Sequence, residues 1–396
     1  MKITIVKESL CLGGTERSAA NISVALAKKH DINVVLYDGR NIQYPYGGTL
    51  FDMKIPARGS KISKTKDHLR RLCYFTKYLS REKPDIVFLF TSFRHPIVKM
   101  PMRNTIKLMS SRDFSVLAKN IDRISKLLSN SDGLVCNSEY MRDYYLSKYP
   151  KDQNKVFSVK NIIDVYDIRN QGKKPIEDQD FTTFRDNHEF LIVSVGRFCA
   201  EKAFENLIAA FAQCIRKKKG IGLVLVGDGE YRNTYIQIIR KEGITDDVYF
   251  TGFQSNPYQF MCKCDLFVLS SISEGFPNVL AEAMALSLPV ISINCLSGPA
   301  EILLKEPNYN LVEKTFLEAD YGVLTPHYSK VETDLAINEM AKAIVYLLDD
   351  RQLRDRYSKL SFERAKQFSS EAAIDQLERI INQIKENKCK KQQNRI

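Results

Sequence analysis

No stretch of this 396-residue chain approaches the ~20 consecutive apolar residues that a membrane-crossing helix needs. Its first residues, "MKITIVKESL", read at once as a strand, without the apolar core and small-residue cleavage site of a secretory leader, so a cytosolic chain is expected. Nine cysteines are present, yet none forms a C-x-x-C pair, and "CKC" at 262–264 has no partner pair spaced for zinc. Reduced thiols are the expectation. The five histidines (His30, His68, His95, His188, His327) are scattered, which argues against a metal cluster. "CLGGTERS" after the first strand lacks the G-x-G-x-x-G spacing, which argues against a nicotinamide-dependent oxidoreductase. No nucleic-acid recognition module or aromatic–basic alternation is found either.

What is present begins with charge. The net charge of +12 is lopsided: residues 1–180 hold 32 Lys and Arg against 19 Asp and Glu, while residues 181–396 hold 27 against 28. The densest basic stretch is "ARGSKISKTKDHLRRLCYFTKYLSREK" at 57–83. A helix there would set Leu69, Leu72, Cys73 and Leu79 beside Lys66, Arg70, Arg71 and Lys77. Such a stripe suits an anionic membrane surface, at about 1 kcal/mol per basic residue near the lipid. A solvated helix packed on a sheet is the plainer reading.

Apolar, β-rich runs alternate with helical stretches along the whole chain. The first half offers strands at 2–7, 32–37, 85–90, 106–111, 133–138 and 156–160. The second offers 190–196, 222–229, 248–252, 265–271, 289–294 and 322–326. Continuous apolar strands separated by helices predict parallel sheets covered on both faces, hence two doubly wound Rossmann-like α/β domains. The expected bounds are a first domain over 1–166, a polar linker over 167–189 and a second domain over 190–369. An amphipathic helix at about 370–390 is expected to pack back on the first domain. "DQD" at 178–180 matches an Asp-x-Asp metal signature but falls in the linker, so it reads as coincidence. In open parallel sheets ligands bind beyond the carboxyl ends of the strands, so a cleft where two such ends face each other is the expected site. Gly13, Gly14, His95, Arg112, Arg197, Lys202, Gly252 and Glu274 all follow strands.

Two segments carry chemistry. "VSVGRFCAEKAFENLIAAF" at 193–211 ends a strand at Gly196 and enters a helix near Phe204. Arg197 and Lys202 thus stand near a helix N-terminus, an arrangement suited to a diphosphate. A local ion pair of Lys202 or Arg197 with Glu201 or Glu205 is the competing reading. "DLFVLSSISEGFPNVLAEAMALSLPVIS" at 265–292 reads strand, loop, helix, strand. Gly275 permits close backbone approach and Pro277 suits a first helical turn. Amides near Phe276, Asn278 and Val279 can donate to phosphate oxygens. A carboxylate beside a phosphate site is unfavourable unless it serves neutral hydroxyls, which assigns Glu274 to a sugar and Glu282, deeper in the helix, to a second hydroxyl pair such as a ribose.

Together "VGRFCAEKAFENLI", "LVLVGDGE", "VYFTGF", "SISEGFPNVLAEAMALSLPVIS" and "SGPAEIL" closely resemble the retaining glycosyltransferases of family 4, which have the GT-B fold. The order and spacing hold over most of 12–326, and "GGTERSAANIS" is similar to the family's glycine-rich first loop. The resemblance implies an E-x7-E pair at Glu274, near the donor sugar, and Glu282, on the nucleotide ribose. It implies phosphate-binding roles for Arg197 and Lys202, a nucleobase flanked by Gly252 and Phe253, and a phosphate or acceptor loop at Gly13 and Gly14. A family histidine near the reacting carbon matches His95 only loosely, and Arg112 would face the acceptor or pair with Asp113.

The resemblance further implies no metal or other cofactor, front-face attack on a UDP-sugar, and a lipid-linked glycan acceptor at the inner face of the cytoplasmic membrane. The products would be cell-surface polysaccharides such as O-antigen or capsule. A sugar-nucleotide epimerase of the same architecture, or a non-catalytic subunit that binds sugar nucleotides, are the alternatives. The second should have lost Arg197, Lys202 or Glu274, and none is lost.

Overall fold

The computed structural model describes residues 1–393 except Leu12, residues 57–60, Arg103 and residues 310–313. The chain divides into two compact units, residues 1–162 with 370–396, and residues 163–369.

In the first unit seven parallel strands form one sheet: β1 (Lys2–Lys7), β2 (Asp31–Leu36), β3 (Thr49–Asp52), β4 (Ile86–Leu89), β5 (Ile106–Ser111), β6 (Gly133–Cys136) and β7 (Val156–Ser158). Their order is β3-β2-β1-β4-β5-β6-β7. The second sheet holds β8 (Phe190–Val195), β9 (Ile221–Val226), β10 (Val248–Gly252), β11 (Leu266–Leu269), β12 (Val290–Ile293), β13 (Leu317–Ala319) and β14 (Gly322–Thr325). Its order is β10-β9-β8-β11-β12-β14-β13, parallel except where β13 meets β14. The strand order reverses between β1 and β4 in one sheet and between β8 and β11 in the other. Those reversals are where a doubly wound sheet opens a crevice at its carboxyl edge. Every strand expected from the sequence is present. Two further strands are not expected from the sequence, β3 and β13, edge strands of four and three residues without a continuous buried run.

The strands are buried because each sheet is covered on both faces. In the first unit Ile3, Ile5, Val34 and Phe88 lie in one apolar layer and Val6, Val35, Val87 and Leu89 in the other, as the period of two requires. The helix Ser370–Gln393 completes the first layer, laying Ile374, Leu377, Ile381 and Ile384 in a stripe at helical spacing against it. Ion pairs of Lys29 with Asp375 (3.3 Å) and Lys388 with Asp132 (2.8 Å) fasten it at two places.

The stretch expected as a linker is instead part of the second unit. Helices Val165–Gly172 and Gln179–Asp186 bury Val165, Ile168 and Phe181 in its core. The Phe181 ring meets those of Tyr249 and Phe260 at 5.6 and 5.0 Å. Three apolar anchors among many charges suffice for two short helices, which a composition-based reading passes over. The Asp-x-Asp coincidence is also explained. Asp178 caps the second of these helices through the Phe181 amide (3.0 Å) and accepts the Tyr249 hydroxyl at 2.8 Å.

The basic segment forms the helix Lys61–Glu82, with residues 57–60 of that stretch outside the described residues. Its inward face is not the expected one. Arg71, Phe75 and Tyr78 are buried, while Leu69, Cys73, Lys66, Arg70 and Lys77 are exposed. Arg71 turns inward because its guanidinium donates twice to the Ile55 carbonyl (2.7 and 3.2 Å) and lies over the Tyr37 ring. No helix among the described residues is long and apolar enough to cross a membrane.

Candidate active site

The reversal in the second sheet brings the loops after β8 and β11 side by side. A short 3-10 turn, Ala200–Lys202, follows β8, and Lys202 then reaches Glu274 on the loop after β11. Its ammonium lies 2.6 Å from the Glu274 carboxylate, 72 residues away in sequence. Neither Glu201 nor Glu205 is its partner. Burial works to lower the Lys202 pKa, but the charge and hydrogen bond of Glu274 outweigh it and hold the ammonium above the ordinary lysine value. The side chain runs across Gly196, with a Cβ at that glycine falling 3.5 Å from three of its carbons. Arg197, one residue on, is exposed and makes no ion pair or hydrogen bond among the described residues, although its charge adds to the hydrogen bonds that hold the nearby Glu201 carboxyl below the ordinary value. The result is one neutralised ammonium–carboxylate pair beside one open guanidinium.

Hydrogen bonds to backbone carbonyls stitch these loops. Ser270 Oγ donates to the Lys202 carbonyl (2.8 Å), and the Ile272 amide donates to the Glu201 carbonyl (2.9 Å). On the other flank Ser297 Oγ donates to the Gly275 carbonyl (2.8 Å). Gly298 (φ +94°) lies so close that a Cβ there would fall 2.4 Å from Pro277. Gly227, in "GDGE", has φ +144° and would place a Cβ 1.9 Å from the Gly196 carbonyl oxygen. The loop after β9 can therefore lie between those after β8 and β10, where the Gly227 amide donates to the Gly252 carbonyl at 3.0 Å.

The helix Asn278–Ala285 starts directly beyond, with Asn278 and Val279 half-buried in its first turn. Gly275 and Phe276 are buried, and the Phe276 ring packs edge-on against Phe368 at 5.2 Å. Phe276 can therefore offer a ligand only its backbone. Glu282, further along the same helix, is buried at 4 % exposure. Gly252 ends β10 at φ +68°, and Phe253 beyond it is 53 % exposed, a free aromatic face at the edge of the same sheet end.

The expected residues of the first unit are dispersed around its own sheet end. Gly13 caps the helix Gly14–Leu26 and donates its amide to the Tyr44 hydroxyl (3.3 Å). Sequence reading passed over Lys7 and Glu16 beside it. Lys7, buried at the end of β1, pairs with Glu8 (2.9 Å) and Glu16 (3.1 Å). A lysine closing an apolar run is the signal that could have found it. His95 is 7 % exposed, its ring stacked on Tyr37 at 4.4 Å with Nδ1 3.0 Å from that hydroxyl. Burial, then the neighbouring Arg71 and His68, push its pKa down to about 3. It is a neutral packed ring, not one open to a reacting atom. Arg112 pairs with no Asp113 carboxylate. It donates to Ser110 Oγ (2.6 Å) and Asn161 Oδ1 (3.0 Å), and burial lowers its pKa to about 10.

Two doubly wound sheets in this order are shared by more than one enzyme class, and the comparisons with known proteins decide between them. The model for glycosyltransferase family 4 matches residues 12–166, and that for glycosyl transferases group 1 matches residues 175–319. An uncharacterized glycosyltransferase of Methanocaldococcus jannaschii is 31% identical over 260 residues, covering 63% of this chain and 63% of its own length. The N-acetylgalactosamine-N,N'-diacetylbacillosaminyl-diphospho-undecaprenol 4-alpha-N-acetylgalactosaminyltransferase of Campylobacter jejuni is 26% identical over 93% of this chain and 95% of its own. Among solved structures, HepE of Anabaena in complex with UDP and glucose has a TM-score of 0.70 at 17% identity, over 96% of this chain and 99% of that one. The chain belongs to the family 4 type of glycosyltransferase, with the GT-B fold.

Proposed function

We propose that this chain transfers a hexose or N-acetylhexosamine from a UDP-sugar to a lipid-linked glycan acceptor, with retention of configuration, in cell-surface polysaccharide synthesis. The observation that carries this reading is the 2.6 Å Lys202–Glu274 pair beside the open Arg197 guanidinium, at the strand-order reversal of the second sheet. Two cations at one loop neutralise the charge that builds on a departing diphosphate, and such preorganised groups supply the largest part of many rate enhancements. When a diphosphate takes up Lys202, the Glu274 carboxylate is released to accept from sugar hydroxyls. Phe253 offers its exposed face to the nucleobase. Arg197, Lys202 and the amides at the start of the helix Asn278–Ala285 carry the leaving group, so the reaction proceeds without a metal.

The first unit takes the acceptor and works at the inner face of the cytoplasmic membrane. Its helix Lys61–Glu82 supports that reading, since Lys66, Arg70 and Lys77 share the exposed side with Leu69. The Campylobacter relative, whose name specifies a diphospho-undecaprenol acceptor, supports the lipid-linked class. The test is UDP release from UDP-glucose, UDP-galactose, UDP-N-acetylglucosamine and UDP-N-acetylgalactosamine in EDTA, with polyprenyl-diphosphate glycans added. Acceptor-dependent release with an α-linked product is expected. An altered UDP-sugar formed with no acceptor would replace this reading with an epimerase.

A further inference from the structure

His327 was, in sequence, one of five scattered histidines. In the structure it follows β14 and is 4 % exposed. Its two ring nitrogens have partners that fix its tautomer. Nδ1 accepts from the Ser329 amide (3.1 Å), so Nε2 carries the hydrogen and donates to the Ile272 carbonyl at 2.8 Å. Ile272 lies two residues before Glu274, and its amide is bound to the Glu201 carbonyl beside Lys202. The Ile272 peptide is thus held from both sides, by the Lys202 turn and by His327.

At Ile272 itself packing holds the loop less than at its buried neighbours Ser271 and Gly275, because the Ile272 side chain is 43 % exposed. Position there depends on the two hydrogen bonds, with Ser297 acting further along on Gly275. We infer that His327 is a positioning residue: it anchors the Ile272 peptide and so keeps the Glu274 carboxylate in register with Lys202. This rests on the donor-site reading above. Small displacements at a reacting centre are expensive, so the anchor bears on turnover more than on nucleotide binding, to which Arg197 and the helix amides contribute independently.

The test compares His327→Ala, His327→Gln and Glu274→Ala in the full chain. Gln is chosen because its amide reaches as far as the imidazole Nε2 and remains a donor. With His327→Ala, hydrogen exchange over residues 270–276 should rise by about fivefold or more, as loss of one local hydrogen bond allows. Turnover of the UDP-sugar the wild-type chain uses best should fall about a hundredfold, with UDP affinity nearly unchanged. His327→Gln should restore both. Unchanged exchange and turnover in His327→Ala, beside an inactive Glu274→Ala, would overturn the anchor alone. A parallel fall in turnover, UDP affinity and melting temperature that Gln does not repair would reduce His327 to general packing and overturn it too. Full turnover in Glu274→Ala would overturn the donor-site reading and the anchor with it.

Discussion

At the scale of single residues, the site is a matter of which charges are satisfied. Lys202 is paired and Arg197 is open, so their roles separate on substitution. Glu274→Ala should cut transfer by about 10²–10³-fold, the usual loss when one transition-state contact is removed, while calorimetry shows UDP affinity nearly intact. On the proposed reading Arg197 contacts the leaving diphosphate in both states, so Arg197→Ala should weaken both UDP binding and turnover. His95 gives a prediction of another kind. With its folded pKa at about 3, the native state binds no proton there between that value and the ordinary 6.5, whereas the unfolded chain does. Its stabilising contribution is therefore complete above pH 6.5 and is lost as pH falls toward 3, at about 1.4 kcal/mol per pH unit. Replacing His95 with Gln should flatten the acid limb of a stability–pH curve measured by denaturant titration. Arg197, Lys202 and Glu274 were legible in sequence because each sits in a loop between an apolar strand run and a helix. His327 was not, since a lone histidine beyond a strand has no pattern. Only the fold reveals that its partner is a peptide 55 residues away.

At the scale of elements, what was legible followed length and apolarity. β1, β8 and β9, six residues each and almost wholly buried, announce themselves. β3 and β13 do not, because an edge strand is half-exposed and short. The helices Val165–Gly172 and Gln179–Asp186 were hidden for a different reason. Their charges outnumber their apolar anchors, and each is identified by an aspartate cap, Asp164 or Asp178, more than by periodicity. Asp178 both caps a helix and binds the Tyr249 hydroxyl. Asp178→Ala should thus cost about 0.5–2 kcal/mol, the range for a lost N-cap, measured by denaturant unfolding. The basic helix shows the limit of face assignment from sequence. A buried Arg71 is not anticipated by any apolar period, because backbone carbonyls and an aromatic ring, not apolar neighbours, receive it.

At the scale of the whole molecule, the chain leaves the first unit at Ile162, builds the second, and returns at Ser370 to finish the first. The returning helix contributes five of the buried aliphatic side chains in that unit's core, Ile374, Leu377, Ile380, Ile381 and Ile384. Each is worth roughly 1.5–3 kcal/mol when buried, which together rivals the total stability of a domain. A chain ending at Ser369 should therefore lose its first unit to limited proteolysis while residues 163–369 resist. Equal resistance of both units would contradict this. The charge division follows the chain halves, with the excess positive charge all within residues 1–180 and Arg197 and Lys202 in a part of the chain that is otherwise balanced.

The most direct measurement is calorimetric titration of UDP, GDP and ADP into the wild-type chain and Arg197→Ala, all in EDTA. Selective UDP binding in EDTA is expected, weakened by the substitution about tenfold or more, the size of one charge-assisted hydrogen bond. A UDP affinity that vanishes in EDTA, or that Arg197→Ala leaves unchanged, would contradict it.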